Sequence, residues 1–189
     1  MSDVLAIIGR PNVGKSTLFN RLIGKRLALV ANEPGITRDY RVESLDIDDC
    51  SYDIIDTAGI EDLSSDNISQ ITKLSSIKAI DKATILLFVI DARADLTSDD
   101  LSLASLIRKS GKKVILIANK CEGVAIKQGE IESLSLGFGN PILISSEHNL
   151  GIGDLLQSVK EISSNEIYEN KEDDIHKKIT ILGRPNSGK

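Results

Sequence analysis

Val4–Thr17 reads VLAIIGRPNVGKST. An apolar run, Val4 to Ile8, leads into a turn-rich segment, Gly9-Arg10-Pro11-Asn12-Val13-Gly14. Lys15-Ser16-Thr17-Leu18-Phe19 then opens a helix. Strand, glycine-bounded loop and helix in that order carry the pattern G-x-x-x-x-G-K-[ST], a loop whose backbone amides cradle phosphate oxygens. Each part of the spelling has a physical reason. Glycines let the chain curl until successive N–H groups converge. The helix adds unpaired donors and the positive end of its dipole. Lys15 brings a compact cation to the β- and γ-phosphates, and the Ser16 hydroxyl is a ligand for a bridging Mg2+. The candidate nucleotide-binding residues of this stretch are Gly9, Arg10, Pro11, Asn12, Val13, Gly14, Lys15, Ser16 and Thr17. Of these, Arg10 either neutralises charge nearby or is simply solvated, and solvation is the expectation.

The surrounding composition fits one domain of ordinary size plus a remnant. The chain has 189 residues, 41% of them hydrophobic but only 3% aromatic, so the core must be aliphatic. A formal net charge of −5 repels a phosphate backbone, and direct nucleic-acid binding is not expected. Cys50 and Cys121 make no metal-ligand spacing and read as isolated reduced thiols. No signal-type segment or membrane-length apolar run is visible, so the expected location is the cytoplasm, without a membrane partner.

Downstream, short apolar runs alternate with longer amphipathic ones, the pattern of a parallel α/β sheet. Lys15–Ile23 reads as the first helix, stopped by Gly24. Lys25–Arg41, broken by Pro34-Gly35, is too long for a plain connection and reads as a functional or disordered loop. Val42–Asp48 and Tyr52–Ile55 pair around an Asp48-Asp49 turn. Asp56–Asp66 is a polar loop and Asn67–Ile80 a helix. Thr84–Ile90 and Val114–Ala118 are strands buried on both faces. Ser98–Ser110 is a helix with Ser98 as N-cap, Asp99 and Asp100 at its positive end and Gly111 as terminator. A helix around Glu122–Leu136, a strand at Pro141–Ile144 and a helix at Ile152–Ile162 complete the unit.

Ser163–Asp174 is polar and acidic and reads as a linker. Beyond it, Ile179–Lys189 (ITILGRPNSGK) matches Leu5–Lys15 at seven of eleven positions, an internal repeat. The expected organisation is a domain over 1–162, an acidic linker over 163–176 and the truncated start of a second such domain over 177–189.

Three stretches bear on the choice of nucleotide. Asp56-Thr57-Ala58-Gly59 follows a strand: its carboxylate can hold Mg2+ through water, and Gly59 can offer an N–H to a γ-phosphate and swing when that group leaves. Asn119-Lys120-Cys121-Glu122 follows another strand, in the manner of N-K-x-D. The final carboxylate there takes paired hydrogen bonds from guanine N1–H and its exocyclic amine; Glu122 is one methylene longer than Asp, so guanine specificity with weakened affinity is expected. Ser145-Ser146-Glu147 has a backbone that can brace the base oxygen. Thr37, the single threonine between Thr17 and Thr57, is either a further Mg2+ ligand or a solvated loop residue.

GRPNVGKS, PGITRD, DTAGI, NKCE and SSEHNLGIGDL, with the second GRPNSGK, resemble the first G domain of the Der/EngA family of tandem-G-domain bacterial GTPases, over essentially the whole chain. The resemblance implies an α/β P-loop NTPase of the Ras-like G-domain type. Its expected form is three-layered, with a mostly parallel six-stranded sheet and one antiparallel edge strand. It also implies Mg2+-dependent GTP hydrolysis and a role in assembly of the large ribosomal subunit, which the full-length protein would contact. Lys15, Thr37 and Gly59 are then the catalytic candidates, and Ser16, Thr37 and Asp56 the Mg2+ set. Two positions depart from the pattern. Glu122 replaces Asp, and DTAG stands where some members have DTGG. Ile60 occupies the place where Ras-like enzymes carry a water-orienting Gln. Asn12 resembles the potassium ligand of some GTPases, or else it satisfies the loop backbone. The alternative of another class is a docking module governed by nucleotide state with little hydrolysis. An ATPase of the same fold is opposed by Asn119-Lys120, and a single-domain Era-type protein by the second phosphate loop.

Overall fold

A computed structural model describes residues 3–24, 41–57, 68–122 and 134–169. The elements run β1 (Asp3–Ile8), α1 (Lys15–Ile23), β2 (Arg41–Ile47), β3 (Cys50–Asp56), α2 (Ile68–Lys82), β4 (Ile85–Asp91), α3 (Ser98–Ser110), β5 (Lys113–Asn119), β6 (Ile142–Leu143) and α4 (Ile152–Glu169). Six strands form one sheet in the order β2-β3-β1-β4-β5-β6. Only β2 and β3 are antiparallel, joined at the edge by the Asp48-Asp49 turn. Asp48 takes a left-handed φ of 50° there, as a turn between antiparallel strands requires.

Period-two alternation in the central strands divides the core into two faces. Leu5 and Ile7 of β1, Ile85, Leu87 and Val89 of β4, and Ile115 and Ile117 of β5 pack with Leu18, Phe19 and Leu22 of α1 and Leu155 and Val159 of α4. Ala6 and Ile8, Leu86 and Phe88, and Leu116 and Ala118 pack on the other side with Ala79 and Ile80 of α2 and Leu103, Ala104 and Ile107 of α3. The result is three layers. Phe88 meets Phe138 edge-on, with ring centroids 5.8 Å apart at 85°. Each fully buried aliphatic side chain contributes about 1.5–3 kcal/mol, so an aliphatic core suffices without Trp.

Two boundaries differ from expectation. Thr97, not Ser98, caps α3. Its side chain accepts from the Asp100 N–H while the Asp100 carboxylate accepts from the Thr97 N–H, a reciprocal capping box. α4 continues to Glu169, past Ile162 and into the stretch read as a linker. The segments expected over 170–189 and the helix expected around Glu122–Leu136 lie wholly or mostly outside the described residues. No helix among the described residues is long and apolar enough to cross a membrane.

Candidate functional site

Because β3, β1, β4 and β5 are parallel, the loops that leave their C-terminal ends gather along one edge of the sheet, where open α/β sheets bind ligands. Register brings Ile7 beside Asp56 and Asp91 beside Asn119. The loop after β1 runs close to its neighbours. A Cβ on Gly9 would stand 2.4 Å from the Val89 carbonyl oxygen, so only glycine fits. Gly14 takes φ 95°, and a Cβ there would meet Asn119 Nδ2 at 2.3 Å. Asn12 between them is left-handed at φ 65°. Lys15 is buried, and its ammonium donates to the Arg10 carbonyl at 2.8 Å, folded back over the loop that precedes it.

The start of α1 contrasts with that of α3. α3 has its capping box and two acidic residues in its first turn; α1 has no side-chain cap and no acidic residue in its first turn. A helix N-terminus with no side-chain cap and no acidic residue in its first turn is suited to an anion.

Asn119 is buried at the end of β5. Its Nδ2 donates to the Val13 carbonyl at 2.9 Å, and its Oδ1 accepts from the Ser146 N–H and hydroxyl, both at 3.0 Å. Lys120, left-handed at φ 68°, donates to the Asn12 carbonyl at 2.6 Å and to Asp91 Oδ2 at 2.7 Å. Cys121 turns inward, its thiol donating to the Ala118 carbonyl at 3.2 Å. One Glu122 oxygen accepts from the Ser145 hydroxyl at 2.7 Å and the other from Arg93 Nη1 at 3.4 Å. Burial pushes the Asp91 carboxyl up. The hydrogen bond from Lys120, the Arg93 backbone N–H and the two nearby cations outweigh burial and hold it below the ordinary carboxylate range.

The structure thus brings the Gly9–Thr17 loop, Asn119–Glu122 and Ser145–Glu147 together. Asp56 and Thr57 lie beside them at the end of β3. Asp56 is buried, and the Thr57 hydroxyl donates to the Ile7 carbonyl at 2.9 Å. Thr37, Ala58, Gly59 and Ile60 lie outside the described residues. Arg10 is corrected: it is not simply solvated, because its Nε donates to the buried Asp100 carboxylate at 3.1 Å. That carboxylate already serves the cap of α3, so the phosphate loop and α3 share one anion. Sequence reasoning also missed Arg21, Asp91 and Arg93. Arg21 bonds to backbone carbonyls, which leave no mark in a sequence; Asp91 and Arg93 reach residues far along the chain.

Fold and loop order define a P-loop domain of the Ras-like GTPase type. The model of the family described as 50S ribosome-binding GTPase matches residues 4–120. GTPase Der of Bartonella bacilliformis is 42% identical over 216 residues, covering 100% of this chain and 46% of the relative. GTPase Der of Roseobacter denitrificans is 51% identical over 155 residues, covering 82% of this chain and 32% of the relative. Among solved structures, an Aquifex aeolicus Era variant bound to GDP and AlF4− has a TM-score of 0.65 at 25% identity, covering 84% of this chain and 56% of that one. An Era in complex with MgGDPNP and a fragment of 16S ribosomal RNA has a TM-score of 0.64 at 26% identity, with the same coverage of 84% and 56%. The chain belongs to the 50S ribosome-binding GTPase family, in its Der/EngA group. It spans about half the length of the curated relatives it matches over its whole extent.

Proposed function

We propose that this chain binds GTP and GDP with Mg2+ across the Gly9–Thr17 loop and the Asn119–Glu122 loop, and hydrolyses GTP to GDP and phosphate. The observation that carries the proposal is the pair of hydrogen bonds from Asn119 to the Val13 carbonyl and from Lys120 to the Asn12 carbonyl. They fasten the segment able to read a purine to the segment able to hold phosphates. The buried Asp56, the Ser16 hydroxyl at the start of α1 and the helix N-terminus without a side-chain cap suit a magnesium nucleotide. Binding of MgGDPNP by the Era neighbour is in keeping with it.

In this mechanism Lys15 moves its ammonium from the Arg10 carbonyl to the β- and γ-phosphate oxygens. The loop amides and the α1 terminus stabilise the charge that builds there. Ser16 and Thr37 would hold Mg2+ directly and Asp56 through water; the bound ion supplies further positive charge to the phosphate oxygens. Gly59 gives its N–H to the γ-phosphate. Water adds in line to the γ-phosphorus, the bond to the β-phosphate oxygen breaks, GDP leaves with the electron pair and the water proton ends on phosphate. Glu122 accepts from guanine N1–H and the exocyclic amine. A carboxylate has about four lone-pair sites, so the bonds from Ser145 and Arg93 leave room for both.

Ile60 cannot orient the water, so intrinsic turnover is slow. Asn12 holds a potassium ion that assists it. In the whole protein this cycle serves assembly of the large ribosomal subunit in the cytoplasm. Single-turnover hydrolysis of GTP is the test, in potassium and in sodium at matched ionic strength, with and without large subunits. Turnover should be faster in potassium and fall at least 100-fold in Lys15→Ala. Equal rates in the two salts remove the potassium role. Absence of hydrolysis under every condition removes the enzyme and leaves a docking module.

A further inference from the structure

We infer that Arg21 is a positioning residue for the base side of the site, an inference that rests on the guanine reading above. Arg21 lies in the last turn of α1, the helix that opens directly after the phosphate loop. Its Nε donates to the Ser146 carbonyl at 2.9 Å and its Nη2 to the Glu147 carbonyl at 2.7 Å. Two successive carbonyls are thus held by one planar fork, an arrangement that lysine cannot reproduce. The loop they belong to is already closed on itself, because Ser145 and Leu150 exchange backbone hydrogen bonds at 3.0 and 3.1 Å. Its inner residues, Ser145 and Ser146, are almost wholly buried.

The consequence is a closed ring of contacts. Val13 accepts from Asn119, Asn119 accepts from the N–H and hydroxyl of Ser146, and Ser146 accepts from Arg21. Arg21 returns to the phosphate loop through α1. Ser146 is therefore held on both sides, by Asn119 at its N–H and by Arg21 at its C=O. Asn119, and Glu122 through the Ser145 hydroxyl, hold the N-terminal side of the loop. Arg21 fixes the second point and with it the direction of the backbone that faces the purine oxygen. α1 thereby serves both ends of the nucleotide, phosphates at its first turn and base at its last.

The test compares GDP with 6-thioguanosine diphosphate, by calorimetry in Mg2+ on the full chain. The analogue keeps the N1–H and amine that Glu122 would read and replaces the oxygen with a weak sulfur acceptor. Arg21→Met keeps the apolar stem and removes both donors. It should weaken GDP binding about tenfold, the scale of one charge-assisted hydrogen bond, and weaken the analogue less than about threefold. Arg21→Lys, which keeps one donor and the charge, should fall between and guards against a variant that fails to fold. Equal losses for the two nucleotides make Arg21 a general support of the fold and overturn its positioning role, as does no loss for either. If the unaltered chain binds GDP no better than ADP, the guanine reading itself falls. If it prefers GDP and the Met variant keeps the same GDP-to-analogue ratio, only the role of Arg21 falls.

Discussion

In the proposed site, Glu122 is where one methylene decides how a purine is met. Its carboxylate does not hang free, since Ser145 and Arg93 each hold one oxygen. The 2.7 Å bond from a nearly inaccessible Ser145 is the stronger anchor; Arg93, at 3.4 Å and half exposed, adds less. Glu122→Ala should lower GDP affinity on the order of 10–100-fold, the cost of a charged hydrogen-bonding partner, and leave ADP binding unchanged. Arg93→Ala should cost only a few-fold; competition of both nucleotides against a fluorescent GDP measures both variants. Asp91 stands one contact further back. Its carboxyl is held below the ordinary range in the fold. The stabilisation it contributes is therefore complete above about pH 4, where the unfolded carboxyl is ionised, and is lost as pH falls through the folded value. Urea unfolding of Asp91→Asn should show a stability deficit at pH 7 that shrinks progressively below about pH 4. A deficit that is constant with pH contradicts the Asp91–Lys120 pairing.

Elements explain what could and could not be seen in advance. The strand–loop–helix of β1 and α1 was legible because Gly9 and Gly14 occupy places that a Cβ cannot and because Lys15 follows at fixed spacing. The two-sided burial of β4 and β5 was legible from their unbroken apolar runs. The cap of α3 was misplaced by one residue because Thr97 and Ser98 are adjacent hydroxyls; what distinguishes them is the partner at N3, Asp100. The same aspartate explains the error on Arg10, whose partner lies 90 positions along the chain, beyond the reach of any local pattern. α4 outran its expected end because polar residues past Ile162 are tolerated in a helix: the Ser163 and Ser164 hydroxyls are satisfied within it, on carbonyls four residues earlier. Thr97→Ala should destabilise the fold by about 1 kcal/mol, the usual worth of an N-cap, read from denaturant unfolding. A loss below the error of that measurement contradicts the capping box.

At the scale of the molecule, the parallel sheet does the positioning. Its order, β2-β3-β1-β4-β5-β6, puts the phosphate-loop strand between the strand of Asp56 and the strand leading to Asp91. Asn119 lies one strand further on, and the side chains of Asn119 and Lys120 reach back across β4 to the loop after β1. The proposed phosphate and base ends are thereby fixed relative to each other before any ligand arrives, which reduces the ordering cost of binding. The most direct measurement is a calorimetric titration of the folded chain with GDP and, separately, ADP, both in Mg2+. Guanine recognition at this site predicts saturable heat with GDP and none with ADP at the same concentrations. No heat with GDP, or equal binding of the two, contradicts it.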